Sequence, residues 1–379
     1  MNAAGLQVSA APQLLKLQWP DGARAEFTSQ WLRDNRAQDR DAHSGQRLVD
    51  IVDVPADPPI RSAVLDGHAL RVRWEGEPAD AIFSLEWLAA QARPASAARP
   101  ELVRRRWLEG ATMNAAADVG WVSFGEAGRD PAARLRWMIR LLQDGIAFIS
   151  GVPCTEDGIL QAMGLMGQVS TTNYGLVFDV RSVPQPENLA YSDLGLGLHT
   201  DNPYREPVPG FQSLHALQTS PEGGDSVFAD GIALAEHLRA ADAPSFAVLT
   251  RTPVPFAYRA KDADLYAERP LIQLACDGSV AAVHYNNRSI APLHLPAAAA
   301  REFYAAYRQF AALLREPRFQ LKFRLRDGDL VMFDNQRVLH GRTAFSSQRH
   351  PRHLRGCYLS RDSVYSTAGL LRRAAGVRA

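Results

Sequence analysis

The chain has 379 residues, of which 46% are hydrophobic and 22% are charged, and its formal net charge is +1. These values are typical of a soluble globular protein. A nearly neutral chain gives no reason to expect a nucleic acid or an acidic membrane surface as a partner. The length exceeds that of one ordinary core and predicts two domains, or one large domain with an appendage.

The three cysteines, Cys154, Cys276 and Cys357, are widely spaced along the chain. An odd number at this spacing supports neither a disulfide framework nor a CxxC metal site, and it fits a reducing compartment. Residues 1–17 lack the basic stretch and apolar run of a secretory signal, and no apolar stretch is long enough to cross a bilayer. We therefore expect a cytoplasmic protein.

Short strands and turns are predicted over the first 90 residues. A hairpin covers 14–27, residues 70–74 alternate as a strand, and a capped helix spans 84–88. A stretch rich in Ala, Pro and Arg over 89–114 marks a boundary. We predict a small β-rich amino-terminal domain over 1–95, a linker over 96–120 and a catalytic domain over 121–379. The Arg104-Arg105-Arg106 run is expected to be a solvated face or linker.

The rest of the chain alternates between short β runs and a few helices. Helices are predicted over 130–142, 157–166, 231–240 and 297–314. Strands are predicted over 145–149, 210–217, 225–230, 283–285 and 328–335. Many short strands with few helices favour a double-stranded β-helix, or jelly roll. The expected fold class is therefore α+β, mainly β with helices.

The motif His199-Thr200-Asp201 carries the strongest chemical signal. Side chains at i and i+2 of a strand point the same way, so His199 and Asp201 can bind one metal ion. His340 follows the strand-like run over 328–335. An isolated HxD pair is weak evidence, but two imidazoles and one carboxylate at strand margins form the ligand set that holds non-haem Fe(II) with one face open.

Further motifs recur across nearly the whole chain in a characteristic order. They occupy residues 31–35, 187–191, 198–201, 223–226, 285–288, 333–342 and 352–358. With these motifs the chain resembles the 2-oxoglutarate-dependent Fe(II) dioxygenases of the taurine dioxygenase superfamily. Within that superfamily it resembles the γ-butyrobetaine hydroxylase-like branch.

The resemblance implies that His199, Asp201 and His340 bind Fe(II), and that 2-oxoglutarate and O2 are co-substrates, with ascorbate as a candidate reductant. Arg352 would pair with the distal carboxylate of 2-oxoglutarate, because a guanidinium fork donates two parallel hydrogen bonds and stays charged. Ser226 stands where related enzymes often have threonine, and its hydroxyl would accompany Arg352. An ordinary strand or turn serine is an equally good interpretation of Ser226.

Aromatic residues carry the substrate prediction. Members of this branch surround a trimethylammonium group with rings, since such a cation has no N–H and is recognised by ring quadrupoles and shape. The matching positions are Tyr174, Phe178, Tyr191 and Tyr358. Phe178 replaces a tryptophan of some relatives and offers a smaller face. Each ring taken alone is more often a core residue.

Amides near the other end of the substrate resemble those that hold an anionic head group. The matching residues are Asn188 and Asn287, with Asn286 as an alternative to Asn287. Arg288 lies beside them, and its full charge suits a carboxylate or a dianionic phosphonate. Adjacent asparagines are also an ordinary turn signal.

The amino-terminal region departs from the family pattern. Relatives commonly hold zinc there through cysteines that follow a Trp-Leu-Arg-Asp-Asn segment and through a later histidine. Here no cysteine precedes Cys154, and a structural zinc site of this kind needs thiolates. We expect no zinc, with His43 and His68 as ordinary surface residues.

The resemblance implies hydroxylation of a C–H bond in a small trimethylammonium substrate. The leading expectation is γ-butyrobetaine, giving L-carnitine; 2-(trimethylammonio)ethylphosphonate is the alternative and trimethyllysine is third. A homodimer is expected from the resemblance alone. A non-catalytic binding module is the competing interpretation, and the complete ligand set argues against it. A hydrolase is not favoured, because the chain has no nucleophile elbow or HExxH helix.

Overall fold

The computed structural model describes residues 5–92, 103–109, 121–181, 194–346 and 352–376. The chain divides into two compact units, Met1–Pro100 and Glu101–Ala379. Helices and strands build both units, so the chain has the mixed α and β content that was predicted. Among the described helices, none has the length and apolar character needed to span a bilayer.

The first unit contains two three-stranded antiparallel sheets, each followed by a short helix. Its elements are β1 (Gln7–Ala11), β2 (Leu14–Gln18), β3 (Arg24–Thr28), α1 (Ser29–Asp34), β4 (Ile60–Asp66), β5 (Ala69–Trp74), β6 (Ala81–Ser84) and α2 (Leu85–Gln91). The hydroxyl of Thr28 caps α1 and that of Ser84 caps α2, each accepting a hydrogen bond from a backbone N–H of the first turn. The predicted hairpin over 14–27 and the helix capped by Ser84 are confirmed.

Four charged residues of the first unit form an ion network. The Arg33 guanidinium lies 2.6 Å from Asp39 Oδ2 and 2.8 Å from Glu77 Oε1, and that of Arg36 lies 2.8 Å and 3.1 Å from the same two carboxylates. The four side chains are at most 19% exposed. The network begins at Arg33 in the last turn of α1 and ties the segment that follows the helix to the turn between β5 and β6.

The network makes the free energy of unfolding depend on pH in the acid range. Burial works to raise the pKa of Asp39 and of Glu77, but the two guanidiniums outweigh it and hold both pKa values below the usual 3.8 and 4.5. A carboxyl whose pKa is depressed by folding stabilises the protein above its unfolded pKa, and that contribution is lost as pH falls through the folded value.

We therefore expect stability to fall steeply below about pH 4.5 in the wild-type chain. The fall should be shallower in Asp39→Asn/Glu77→Gln, which is already destabilised at pH 7 by about 3 kcal/mol because two guanidiniums lose their partners. Urea unfolding followed by circular dichroism from pH 3 to 7 measures both effects. The exposed pair Lys16–Glu26 provides a control, in Glu26→Gln, that should change little. Parallel pH profiles for the wild type and the double variant would contradict this expectation.

The second unit contains fifteen strands and seven helices within the described residues. The strands are β7 (Val122–Ser123), β8 (Ile146–Ser150), β9 (Val169–Ser170), β10 (Phe178–Arg181), β11 (Leu196–His199), β12 (Phe211–Gln218), β13 (Ser226–Asp230), β14 (Val254–Ala260), β15 (Ala263–Arg269), β16 (Ile272–Leu274), β17 (Val280–Val283), β18 (Leu321–Phe323), β19 (Leu330–Asp334), β20 (Val338–Arg342) and β21 (His353–Leu359). The helices are α3 (Phe124–Arg129), α4 (Pro131–Asp144), α5 (Gly158–Met163), α6 (Gly231–Ala241), α7 (Ala243–Arg251), α8 (Ala297–Arg315) and α9 (Arg361–Ala374). The predicted strand over 283–285 is wrong at its end, because β17 ends at Val283 and Tyr285 lies in a loop.

Two sheets form the centre of the second unit. The larger has the order β10-β21-β12-β19-β8-β7 with β9 beside β21, and the smaller has the order β11-β20-β13-β18. Phe148 and Leu214 of the larger sheet share one buried apolar cluster with Phe228 and Val338 of the smaller sheet. The two sheets therefore pack face to face, with the apolar side chains between them.

Helices cover the outer faces of both sheets. Trp137 of α4 and Val364 of α9 pack in one cluster with apolar residues of the larger sheet. Leu234 of α6 and Phe310 of α8 pack against Leu339 of the smaller sheet. The helices α4, α6 and α8 confirm those predicted over 130–142, 231–240 and 297–314.

Residues 103–109 lie within the predicted linker but pack against the second unit. Trp107 is buried, and its indole N–H donates to the carbonyl oxygen of Asp144 at 2.8 Å. Arg104 donates to the carbonyl oxygen of Val280 at 3.0 Å, and Arg105 pairs with the Asp144 carboxylate at 2.7 Å. Arg105 and Arg106 are exposed, as expected for a solvated face, but Arg104 and Arg105 also make specific contacts with the second unit.

Candidate active site

Two histidines and an aspartate meet at the end of the smaller sheet. Strand β11 ends at His199, and antiparallel pairing places His340 of β20 directly opposite. Asp201 Oδ1 lies 3.2 Å from His199 Nε2 and 3.9 Å from His340 Nε2. One ligand atom of each residue lies within 4.8 Å of the others, and the described residues contain no other such group of histidine, cysteine or acidic side chains.

The protonation of the two imidazoles fits a metal ion. His199 Nδ1 lies 2.9 Å from the carbonyl oxygen of Gly197. Because a carbonyl oxygen only accepts, Nδ1 carries a proton, and Nε2 is the nitrogen that faces Asp201 and is available to a metal ion. Burial and the neighbouring His199 lower the pKa of His340 to about 3, so its ring is neutral, as a ligand must be.

Hydrogen bonds hold both the carboxylate and the backbone of Asp201. The Tyr358 hydroxyl donates to Oδ2 at 2.8 Å, which leaves Oδ1 turned toward the imidazoles. The Asn335 side chain accepts from the Asp201 N–H at 2.7 Å and donates to its carbonyl oxygen at 3.0 Å. Burial alone would raise the pKa of Asp201, but the His340 and His199 rings and the Tyr358 hydroxyl hold it well below its usual range. The carboxylate is therefore ionised.

Thr200, between the two ligands, fastens a second loop to the site. Its backbone N–H donates to the carbonyl oxygen of Tyr285 at 2.7 Å, and its hydroxyl accepts from the Tyr285 N–H at 3.0 Å. The Asn286 amide donates to the Thr200 carbonyl oxygen at 3.1 Å. Asn287 is exposed, and its side-chain oxygen accepts from the Tyr307 hydroxyl at 2.7 Å. The buried Asn286 amide thus holds the loop, while Asn287 faces outward.

A small cavity of about 70 Å³ joins the three ligands to Arg352 and Ser226. Ser226 of β13 pairs with Arg342 of β20, so both side chains lie on the face that carries His340. Arg352 is 7% exposed and makes no hydrogen bond or ion pair with any described residue. Burial and the neighbouring Arg342 lower the pKa of Arg352 to about 10, which still leaves it charged at neutral pH. The cavity therefore offers an unpaired buried guanidinium to an anion.

Gly224 makes room for Arg352. Its φ is +68°, a conformation that side chains rarely adopt, and a Cβ there would lie 2.9 Å from Arg352 Cδ. The Gly223-Gly224 motif thus positions the guanidinium.

Five aromatic rings form a cluster beside Asp201, which we call the aromatic cluster: Tyr174, Phe178, Tyr204, Tyr258 and Tyr358. The Phe178 ring lies 5.2 Å from that of Tyr358 and 6.2 Å from that of Tyr174, measured between centroids. Tyr258 lies 5.9 Å from Tyr174 and stacks on Tyr204 at 5.2 Å. Rings at these separations present the faces and edges that attract a cation.

Asn202 connects the aromatic cluster to the metal ligands. Its amide donates to the Tyr358 hydroxyl at 3.1 Å, and its carbonyl oxygen accepts from the Tyr204 hydroxyl at 2.6 Å. The Tyr204 and Tyr174 hydroxyls lie 3.2 Å apart. Asn202 is buried and has a φ of +53°, which asparagine tolerates better than most residues. A continuous hydrogen-bond chain therefore runs from Asp201 through Tyr358, Asn202 and Tyr204 to Tyr174.

Two family patterns cover most of the chain. Residues 113–358 match "Taurine catabolism dioxygenase TauD, TfdA family", and residues 6–89 match "Gamma-butyrobetaine hydroxylase-like, N-terminal". The chain belongs to the TauD/TfdA dioxygenase family. It is an Fe(II)- and 2-oxoglutarate-dependent dioxygenase, and the expected family, iron and co-substrates are confirmed.

Three relatives are similar over nearly their whole length. The γ-butyrobetaine dioxygenase of Pseudomonas sp. (strain AK-1) is 34% identical, and the aligned region covers 94% of this chain and 93% of that protein. Dioxygenase str8 of Strobilurus tenacellus is 32% identical, with 90% of this chain and 84% of that protein aligned. The trimethyllysine dioxygenase of Meyerozyma guilliermondii is 27% identical, with 94% of this chain and 93% of that protein aligned.

The structure brings most residues predicted for the dioxygenase site together. Around the three ligands it places Arg352, Ser226, Tyr174, Phe178 and Tyr358, while Asn287 and Arg288 line a second cavity that His199 also borders. The predicted residues Asn188 and Tyr191 lie outside the described residues.

The sequence did not indicate Asn202, Tyr204, Tyr258 or Gln212. Gln212 lines the cavity at Arg352, and its buried side-chain oxygen has no hydrogen-bond partner among the described residues. Asn202-Pro203-Tyr204 directly follows Asp201, so proximity to the ligand was the available signal for the first two. No sequence signal connects Tyr258 or Gln212 to the site.

We expect Asn202→Gly to weaken Fe(II) binding by about tenfold. Residues that orient a metal ligand typically contribute 10–100-fold to affinity, and glycine removes the amide while accepting the positive φ. Asn202→Ala should weaken Fe(II) binding equally and lose about 1 kcal/mol more in stability, because alanine is strained at this φ. Anaerobic Fe(II) titration and urea unfolding separate the two effects. Unchanged Fe(II) affinity in both variants would show that Asn202 does not orient the metal ligands.

Proposed function

We propose that this dioxygenase hydroxylates γ-butyrobetaine to L-carnitine, with conversion of 2-oxoglutarate and O2 to succinate and CO2. The single observation that carries the proposal is the aromatic cluster bonded to the Asp201 ligand through Tyr358. A trimethylammonium group held against these rings lies next to the metal ligands. The 34% identity to a protein named γ-butyrobetaine dioxygenase supports the same substrate.

The chain's own residues position the reactants. When bound, Fe(II) supplies O2 activation coupled to decarboxylation of 2-oxoglutarate. Arg352 binds the distal carboxylate of 2-oxoglutarate through its unpaired guanidinium, and the Ser226 hydroxyl lies in the same cavity to assist it. The apolar walls of that cavity, such as Phe228 and Leu354, exclude water and strengthen the ion pair.

The two ends of the substrate require different surfaces. Tyr174 and Phe178, with Tyr191, hold the trimethylammonium group by cation–π attraction. Tyr358 is 3% exposed, so its hydroxyl positions Asp201 and its ring supports Phe178. Asn287 and Arg288, with Asn188, receive the anionic end.

The arrangement of the chain forms part of the proposal. The two facing sheets are the double-stranded β-helix of a catalytic domain over 121–379, preceded by a β-rich domain over 1–95 and a linker over 96–120. The face-to-face packing of the β11-β20-β13-β18 sheet on the larger sheet supports it. Homodimer formation stays a prediction.

A second candidate substrate is 2-(trimethylammonio)ethylphosphonate. The observation that favours it is Arg288, whose guanidinium has no hydrogen-bond or ion-pair partner among the described residues and can neutralise a dianion. Trimethyllysine is the third candidate, since a relative at 27% identity bears that activity in its name.

Parallel turnover of the three candidates tests the substrate. We expect succinate to form in a 1:1 ratio with hydroxylated product from γ-butyrobetaine, and His199→Ala to lose both by more than about 1,000-fold because two ligands hold iron poorly. His43→Ala is the control, since His43 is exposed in the first unit. Turnover of the phosphonate alone would contradict the substrate but retain the class. Absence of 2-oxoglutarate decarboxylation with every candidate would favour the binding-module interpretation.

Arg352→Lys tests the 2-oxoglutarate position. We expect KM for 2-oxoglutarate to rise roughly tenfold or more, since lysine keeps the charge but loses the bidentate geometry, while KM for the trimethylammonium substrate changes little. Arg355→Lys is the matched control, because Arg355 instead contacts Glu156 and Asp179. Equal effects of the two variants on KM for 2-oxoglutarate would contradict binding of the co-substrate at Arg352.

A further inference from the structure

A second and larger cavity lies beside the ligand His199. It has a volume of about 530 Å³, which falls within the usual range for small-molecule sites. One wall is helix α8, whose residues Arg308, Ala311 and Arg315 share one face at helical spacing. The opposite wall includes β11 and the loop that carries Asn287 and Arg288.

The charge of this cavity is entirely positive. Four arginines line it, namely Arg288, Arg308, Arg315 and Arg342, and its described lining contains no aspartate or glutamate. Within the described residues, the guanidiniums of Arg288, Arg308 and Arg315 make no hydrogen bond and no ion pair. Like charges that share a concave surface without counter-charges repel each other and attract anions.

Other arginines near α8 do have acidic partners. Arg318, just beyond α8, pairs with Glu316 at 2.7 Å, and Arg251 of α7 lies 3.6 Å from Glu302 of α8. The acidic residues near α8 are thus used outside the cavity. Arg288, Arg308 and Arg315, which make no such pair within the described residues, remain available to a ligand that is not part of the chain.

We propose that this arginine cavity binds a small oxyanion carrying two or more negative charges, held at its outer part by Arg308 and Arg315. Residues 308 and 315 are seven positions apart, about 10 Å along the helix axis, so the pair can grip an extended dicarboxylate from two ends or a phosphate from one. The Tyr307 hydroxyl and the Gln320 amide add polar groups to the same lining.

The proposed anion site is separate from the position beside Arg352. Arg308 and Arg315 line only the larger cavity, while Arg352 lines only the smaller one. Asn287 and Arg288, proposed above to receive the anionic end of the substrate, line the same larger cavity, so the anion held by Arg308 and Arg315 is a second occupant of its outer part. This inference goes beyond the proposed substrate, and binding without turnover tests it independently.

Calorimetric titration of the full-length, Fe(II)-loaded protein under argon, at low ionic strength, is the test. Inorganic phosphate and succinate serve as separate probes. Succinate is also the co-product of the reaction, so it is titrated in an Arg352→Gln background, where the position beside Arg352 does not contribute. We expect at least one of them to bind with 1:1 stoichiometry, and Arg308→Gln/Arg315→Gln to weaken that binding by roughly tenfold or more through the loss of charge-assisted hydrogen bonds. The probe that binds more tightly identifies whether the site prefers a phosphate or a dicarboxylate.

Two control variants make the result specific. Arg301→Gln/Lys261→Gln removes the same net charge from exposed positions outside the cavity, and it should bind the anion as the wild type does. Arg352→Gln should also retain binding, because the two sites are separate. Equal weakening in the charge-matched control, loss of binding in Arg352→Gln, or no saturable binding of either probe would overturn the proposal. Thermal unfolding establishes that each variant is folded.

Discussion

The pairing of strand β11 with β20 is the constraint on which the active site depends. It sets His199 directly opposite His340, two residues that are far apart in the sequence. The pairing requires a close approach at Gly341, where a Cβ would overlap the carbonyl oxygen of Leu196. The glycine that follows His340 is therefore as necessary as the ligand itself, because a side chain there would push β11 away and separate the imidazoles.

The site combines two opposite electrostatic demands within a few residues. At one end, the charged Arg352 guanidinium lies buried without a hydrogen-bond or ion-pair partner among the described residues, and a bound dicarboxylate would offset the desolvation energy that this costs. At the other end, the ionised Asp201 and the aromatic cluster favour cations. Tyr358 belongs to both the ligand shell and the cluster. A cation held against these rings would therefore lie close to the hydrogen bond that orients Asp201.

Local features of the site could be predicted from the sequence, whereas its long-range partners could not. The His199-Thr200-Asp201 spacing identified two residues that lie close together, but β11 ends at His199, so strand alternation does not account for the position of Asp201. Tyr258 lies on β14, and alternation there predicts only a half-buried strand, because the packing of that hairpin on Tyr204 depends on tertiary contacts. Helical periodicity places Arg308 and Arg315 on one face of α8, but only the fold shows that β11 lies opposite.

The ion network of the first unit illustrates a similar limit and has its own physical logic. Arg33, Arg36 and Asp39 lie close in sequence, but their partner Glu77 arrives from the turn between β5 and β6. Buried ion pairs cost desolvation, so two guanidiniums and two carboxylates add little net stability over an apolar contact. The four charged groups instead fix one conformation. Each carboxylate is shared by both arginines, so no group can move without leaving a charge unpaired. Such a network can fix the segment after α1 without the thiolates of a structural metal site.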